Sequence, residues 1–184
     1  MNKLRKFIQI FTYFMLPILL LAGSIFLNNK YIFSKYGNLA FILLTANLYL
    51  RPIAVILKNK YLNTLSTYRR ELGVASFWLY FFHAIGFFLL YKIPLTNFIN
   101  TNTYSFWAFL ASICMFPLWI TSNDKSIKFL KRNWKRLHRL AYPLFYFSLI
   151  HISLAQKNPE KILILGIPYI LLKIIEYRKI PFRW

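Results

Sequence analysis

Residues 69–91 read RRELGVASFWLYFFHAIGFFLLY. From Leu72 to Tyr91 there is no Asp, Glu, Lys or Arg. At about 1.5 Å of rise per residue, a helix over that stretch is roughly 30 Å long, the thickness of a bilayer's hydrocarbon core. Two arginines precede it and His83 lies within it. An apolar helix that crosses a membrane and carries an imidazole inside it sets the fold class: an all-α membrane protein.

Working outward, comparable apolar runs recur along the whole chain. Six spans are expected: Phe7–Leu27, Asn38–Leu57, Leu72–Tyr91, Tyr104–Thr121, Leu137–Ala155 and Ile162–Ile175. The second is interrupted near its end by Arg51-Pro52, and the last is short and weakly apolar. None of the runs alternates strictly, and a barrel needs more segments than these, so strands are not expected. The expectation is a polytopic bundle of about six transmembrane helices forming a single membrane domain over residues 1–184, with no linker, internal repeat or low-complexity segment.

Composition agrees. Hydrophobic residues make up 58% of the chain and aromatic residues 20%, whereas soluble domains carry about 45–50% apolar residues. The carboxylates are four, Glu71, Asp124, Glu160 and Glu176, too few for the surface of a soluble chain of this length. Cys114 stands alone, so intrachain disulfides and cysteine-held clusters are excluded; within its apolar run it reads as a small hydrophobe. Met1–Lys6 followed by an apolar stretch resembles a cleaved signal in outline. The stretch is long for a signal core, however, and lacks a clear small-residue cleavage site, so it is expected to be the first span.

The net charge of +20 at pH 7 raises nucleic acid as a partner. The placement of the charge argues against it, because the cations lie between apolar runs instead of forming one face. One side of the expected topology has Lys3, Arg5 and Lys6; Arg51, Lys58, Lys60, Arg69 and Arg70; the basic stretch from Lys125 to Arg139; and Lys173, Arg178, Lys179 and Arg183. The other side has only Lys30, Lys35, Lys92, Lys157 and Lys161, a division of nineteen against five. The positive-inside rule places both termini in the cytoplasm. Tyr36, Tyr91, Trp134 and Trp184 fall where an aromatic belt is expected.

The central parts of the spans contain no Asp or Glu, which argues against a proton relay or a cation-coupled transporter. The chain's histidines, by contrast, all lie in or at the edge of spans: His83 in the third, His138 and His151 in the fifth. Neutral imidazole is a common protein ligand of haem iron, and two imidazoles from facing helices can clamp a haem. His83 follows Arg70 by thirteen residues and His151 follows Arg139 by twelve, so the two lie at similar depth, roughly 20 Å in. They are the expected bis-imidazole pair, in the outer half of the membrane. His138 lies at the cytoplasmic edge and has two readings: ligand of a second haem, or hydrogen-bonding partner of an interfacial group or a propionate. Pro143 stands between His138 and His151 and can change the helical phase.

Arg51 also has two readings, contact with a propionate and snorkelling to the interface. Arg69 and Arg70 read as topology signals. Lys125–Arg136 reads as a surface for anionic lipid, with an acidic partner or a flavin phosphate as alternatives. No nucleotide fingerprint is present, so nicotinamide and flavin chemistry belong largely to another protein.

Arg69-Arg70-Glu71-Leu72-Gly73 followed by His83, and Thr121-Ser122 followed by Leu130, Trp134, Leu137-His138, Tyr142 and His151, resemble the MsrQ/YedZ family with its ferric-reductase-like transmembrane domain. The resemblance covers roughly residues 38–157. Lys131 stands where that family usually has glycine, and Phe87 where a tyrosine is common. The resemblance implies a bacterial inner-membrane, multi-pass electron-transfer subunit holding haem b (one or two), with FMN admitted as a further cofactor. It implies electrons from a cytoplasmic flavin reductase, delivered to a periplasmic molybdopterin methionine sulfoxide reductase of the MsrP kind that repairs oxidised proteins. The chain is then expected to be a subunit that carries electrons, with catalysis in its partner. Two alternatives stand beside this one: a stand-alone ferric or quinone reductase, and a cofactor-free helical membrane protein whose histidines are packing residues.

Overall fold

The computed structural model describes residues 3–27, 30–91 and 94–179, and every regular element among them is helical. Lys92, Arg183 and Trp184, which entered the charge and belt expectations, lie outside the described residues. The helices are α1 (Lys3–Ile10), α2 (Leu16–Leu27), α3 (Lys30–Leu57), α4 (Lys60–Ser66), α5 (Arg69–Tyr91), α6 (Tyr104–Ile120), α7 (Asp124–Leu130), α8 (Arg132–Leu137), α9 (Ala141–Ala155) and α10 (Ile167–Lys179). They form two compact units, Met1–Asn47 with Thr67–Pro94, and Leu48–Ser66 with Leu95–Trp184.

In the first unit α1 and α2 join through a π-helical turn, Phe11–Met15. Its cause is local: the buried Thr12 hydroxyl bonds the carbonyls of Ile8 (2.9 Å) and Gln9 (3.3 Å), competing with the backbone ladder. Leu20 of α2, Ala40 of α3, and Leu79 and Phe82 of α5 form the core, and Phe77, Trp78 and Phe81 extend it as an aromatic cluster. Phe14, Ile18, Ile25 and Phe26 stay exposed, as they must when the outer solvent is lipid. Burial of apolar surface then contributes little between helices, and close backbone approach with interhelical hydrogen bonds carries the packing. Ser76 donates to the Ala40 carbonyl at 2.8 Å. Asn47 and Arg69 clasp reciprocally: the Asn47 amide donates to the Arg69 carbonyl (2.9 Å), and Arg69 Nε donates to the Asn47 carbonyl (3.0 Å) and Oδ1 (3.1 Å). Glu71, 1% exposed, accepts from Gln9 at 2.9 Å and pairs with Arg5 (3.5 Å) and Arg70 (3.7 Å). Arg69, read from sequence as a topology signal, thus also ties α5 to α3, while Arg70 pairs with Glu71 on its own helix.

In the second unit α6 and α9 pack along their length, burying Ala111, Cys114 and Met115 against Leu144, Phe145, Leu149 and Ser153. Arg51 pairs with Glu176 of α10 through Nε and Oε1 (3.3 Å), so its described partner is a carboxylate 125 residues away, and neither sequence reading foresaw it. A second π-helical turn, Ile162–Gly166, precedes α10. Its released carbonyls are met by phenols: Tyr49 donates to Leu165 and Tyr146 to Gly166.

Span boundaries differ from expectation in instructive ways. Helix α3 starts at Lys30, eight residues early, and runs through Pro52 to Leu57. Three stretches, Lys3–Phe26, Lys30–Leu57 and Arg69–Leu90, are each long and apolar enough to cross a membrane. The fourth candidate is bent: α7 leaves α6 at 94°. The expected fifth span is broken by a 3-10 turn, His138–Leu140, before α9 begins. Pro143, which can change the helical phase, sits in the first turn of α9, a position that proline tolerates, and the 3-10 turn lies between it and α8. The expected sixth span is the π turn plus α10, whose last turns carry Lys173, Glu176 and Arg178.

Candidate functional site

His83 lies on α5 in the first unit; His138 and His151 belong to the second. Within the second unit the two are held apart, one just before α9 and the other near its C-terminal end.

The half-buried ring of His83 lies against α3. Its Nδ1 is 2.8 Å from the Phe33 carbonyl, and its ring is 4.6 Å from that of Phe87. Gly37 makes room: a Cβ there would sit 2.6 Å from His83 Nδ1. Gly86 makes room for Phe33 in turn, since a Cβ there would be 2.1 Å from Phe33 Cδ1. Two glycines, one on each helix, bring α3 and α5 close enough for an imidazole to reach a main-chain carbonyl.

His151 has the same arrangement on other helices. Its Nδ1 is 2.9 Å from the carbonyl of Tyr104, the first residue of α6, and the Tyr104 ring meets it edge-on at 6.0 Å. A carbonyl oxygen only accepts, so in both rings Nδ1 carries the proton and Nε2 the lone pair. Histidines that ligate metals are usually held in this way, with the second nitrogen donating to a carbonyl or carboxylate that fixes tautomer and orientation. The donor chemistry of both residues therefore fits haem iron.

His138 is held by the opposite nitrogen. Its Nε2 is 3.1 Å from Thr121 Oγ1. The Thr121 hydroxyl has one proton and gives it to the Pro117 carbonyl at 2.7 Å, so it accepts from His138, and Nε2 carries the proton there. Trp134 stacks on the imidazole at 3.9 Å and donates through Nε1 to the Thr121 carbonyl at 2.9 Å. Thr121, Trp134 and His138, quoted above as one motif, meet at the corner where α6 gives way to α7 and α8.

That corner contains one of the positive-φ residues among the described residues. Lys131, between α7 and α8, has φ 49° and ψ −119°, a region that glycine occupies without strain. Lysine stands here where the resemblance noted above implies glycine.

Sequence reading found the three imidazoles and missed what holds them. Phe33 and Tyr104 act through carbonyl oxygens, which no side chain advertises. Gly37 and Gly86 were legible in principle, as small residues in apolar helices marking close approach.

The family of ferric reductase like transmembrane components matches residues 35–149, an interval that contains His83 and His138 and ends two residues before His151. The haem-binding subunit MsrQ of protein-methionine-sulfoxide reductase from Rhizobium meliloti is 29% identical over 123 residues, 64% of this chain and 57% of that protein. The magnetosome protein MamZ of Magnetospirillum gryphiswaldense is 28% identical over 147 residues, 77% of this chain and 21% of that protein. MsrQ of Xanthomonas euvesicatoria is 30% identical over 122 residues, 63% of this chain and 56% of that protein. The chain spans about half the length of the MsrQ relatives it matches. No solved structure matches it.

Proposed function

Because this chain belongs to the family of ferric reductase like transmembrane components, we propose that it is a haem b-binding, multi-pass electron-transfer subunit of a bacterial inner membrane, built as one domain with both termini in the cytoplasm. Electrons come from a cytoplasmic flavin reductase, with FMN as an intermediate carrier, and go to a periplasmic molybdopterin methionine sulfoxide reductase of the MsrP kind. The reduction of sulfoxide belongs to that partner. The similarity to MsrQ subunits supports the system; the nineteen-to-five division of cations supports the orientation.

The observation that carries the reading is the shared state of His83 and His151. Each presents an Nε2 lone pair from a ring fixed at Nδ1 by a helix carbonyl. Each carbonyl lies in the first turns of a helix, α3 or α6, that starts on the lysine-poor side of the proposed topology. These two residues would hold the haem iron, in the outer half of the membrane, in keeping with their similar depth in sequence. When bound, haem supplies a one-electron iron couple whose potential follows its axial ligands and surroundings. The chain's part is to hold both rings in the ligating tautomer, raise their basicity through the carbonyl bonds, and exclude water with apolar walls. His138 is assigned to the cytoplasmic corner, where it ligates a second haem only if Thr121 releases its Nε2.

The test is an absorption spectrum of the detergent-purified protein, oxidised and then reduced with dithionite, with haem counted per chain. A low-spin b-type spectrum at one haem per chain supports the His83–His151 pair, and two per chain brings in His138. A colourless protein from haem-sufficient cells returns all three histidines to packing. Coupled assays with a molybdopterin partner, or with ferric chelates and quinones, separate the proposed subunit from a stand-alone reductase.

A further inference from the structure

The second unit has a cleft of about 460 Å³ that none of the histidines lines. It opens between α9 and α10, at the end where α9 begins and α10 finishes. Tyr142, Tyr146, Tyr169 and Tyr177 contribute walls, and Lys173 and Arg178 contribute cations. Its floor is closed. Tyr169 is 2% exposed and packs its ring against Tyr49 and Phe145 at 5.2 and 5.3 Å, while Tyr146 is anchored through its hydroxyl to Gly166. Its mouth is wet and basic: Tyr177 is 63% exposed and Arg178 is exposed beside it.

Charge identifies what the cleft takes. Glu176, 5% exposed, accepts from Lys173 Nζ at 2.6 Å and from Arg51 Nε at 3.3 Å. Glu176 thus pairs with Lys173 and Arg51, and the cleft's own lining carries two cations, Lys173 and Arg178, and no carboxylate. Lys173 also lies 5.4 Å from the centre of the Tyr142 ring, so the ammonium is held at the cleft wall instead of swinging into bulk water. The site joins a positive, phenol-lined mouth to an apolar floor, between two helices of a chain read as membrane-spanning. Basic pockets between transmembrane helices on the cytoplasmic side are suited to anionic lipid headgroups.

We propose that the α9–α10 cleft is a binding site for one anionic phospholipid, its phosphate held by Lys173 and Arg178 with the tyrosine hydroxyls, and the start of its acyl chains lying against Tyr146, Tyr169 and Ile170.

Native mass spectrometry of the full chain in mild detergent tests this without needing haem. The protein is mixed with palmitoyl-oleoyl phosphatidylglycerol, with phosphatidylcholine of the same tails, or with glycerol phosphate. One phosphatidylglycerol should be retained in preference to phosphatidylcholine, and glycerol phosphate should fail to compete. Arg178→Gln should weaken retention about fivefold, as expected for one cation at an anionic headgroup. The double variant Lys173→Gln/Arg178→Gln should lose preference altogether. Arg178 is exposed, so its single variant reports on binding even if loss of the Lys173–Glu176 pair unfolds the double one. Lys3→Gln/Lys6→Gln, exposed and outside the cleft, should leave retention unchanged. Equal retention of both lipids, undiminished retention by Arg178→Gln, or equal weakening by the Lys3/Lys6 variant would overturn the site in favour of diffuse attraction to a chain of charge +20. Competition by glycerol phosphate would overturn the lipid in favour of a free anion.

Discussion

The imidazole of His83 is held at Nδ1 by a helix carbonyl, and that of His138 at Nε2 by a threonine hydroxyl. One residue type thereby serves two regions with opposite requirements. Around His83 the constraint comes from the main chain and from two glycines that admit it, and it acts at Nδ1. Around His138 the constraint comes from side chains, a tryptophan face and a hydroxyl, and it acts at Nε2, the nitrogen that iron would use, through a bond to the end of α6. His151 follows His83 in this respect, although it stands on the same segment as His138. Proximity in sequence therefore says less about a histidine's role than the kind of atom that holds it.

The contrast breaks most visibly if the ligands are misassigned. His83→Ala and His151→Ala should each remove most of the bound haem, whereas His138→Ala should leave most of it. Haem quantified per chain for the three variants decides, and complete loss with His138→Ala alone would reverse the assignment. Next in size is Gly37→Ala, which places a methyl group 2.6 Å from His83 Nδ1. Removing the support of a metal-ligating histidine typically costs 10- to 100-fold in affinity, so haem binding should fall by roughly tenfold or more. Titrating haem into apo protein measures it. Thr121→Val sharpens the other side. It should leave haem content unchanged and lower stability by about 1 kcal/mol, the net value of an ordinary hydrogen bond, read as a thermal shift in detergent. Nitrogen-15 spectra of histidine-labelled apo protein should show His83 and His151 protonated at Nδ1 and His138 at Nε2. Smallest is Lys131→Gly, which relieves the φ 49°, ψ −119° backbone. It should stabilise the corner by about 1 kcal/mol with no change in haem spectrum.

Much of this molecule was legible in its sequence because a bilayer imposes a simple code. A run such as Leu72–Tyr91 can hardly be anything but a spanning helix, and an imidazole within it is conspicuous. The similar depth proposed for His83 and His151 rests on counting residues from the nearest arginines. What was not legible falls into two kinds. Short elements, α4, α7 and α8, have too few residues for a periodic pattern to emerge. Pairings over long separations, Arg51 with Glu176 and Arg5 with Glu71, depend on which helix ends share a level and a side, and a single chain's hydropathy does not encode this. The early start of α3 was missed for a related reason. Lys30, Lys35 and Asn38 make its first turns look like a loop, yet those turns carry the Phe33 carbonyl and Gly37, on which His83 depends.

The glycine at position 37 has a consequence for biogenesis. Sliding α3 along α5 by one helical turn, about 5.4 Å, would bring Phe33 or Phe41 where Gly37 now meets the imidazole, and neither ring fits in the space of a hydrogen atom. The close contact at Gly37 therefore opposes that slide, and the chain alone sets the constraint. On the proposed haem reading, the imidazole is oriented before any porphyrin arrives, and loading would be docking onto a prepared surface.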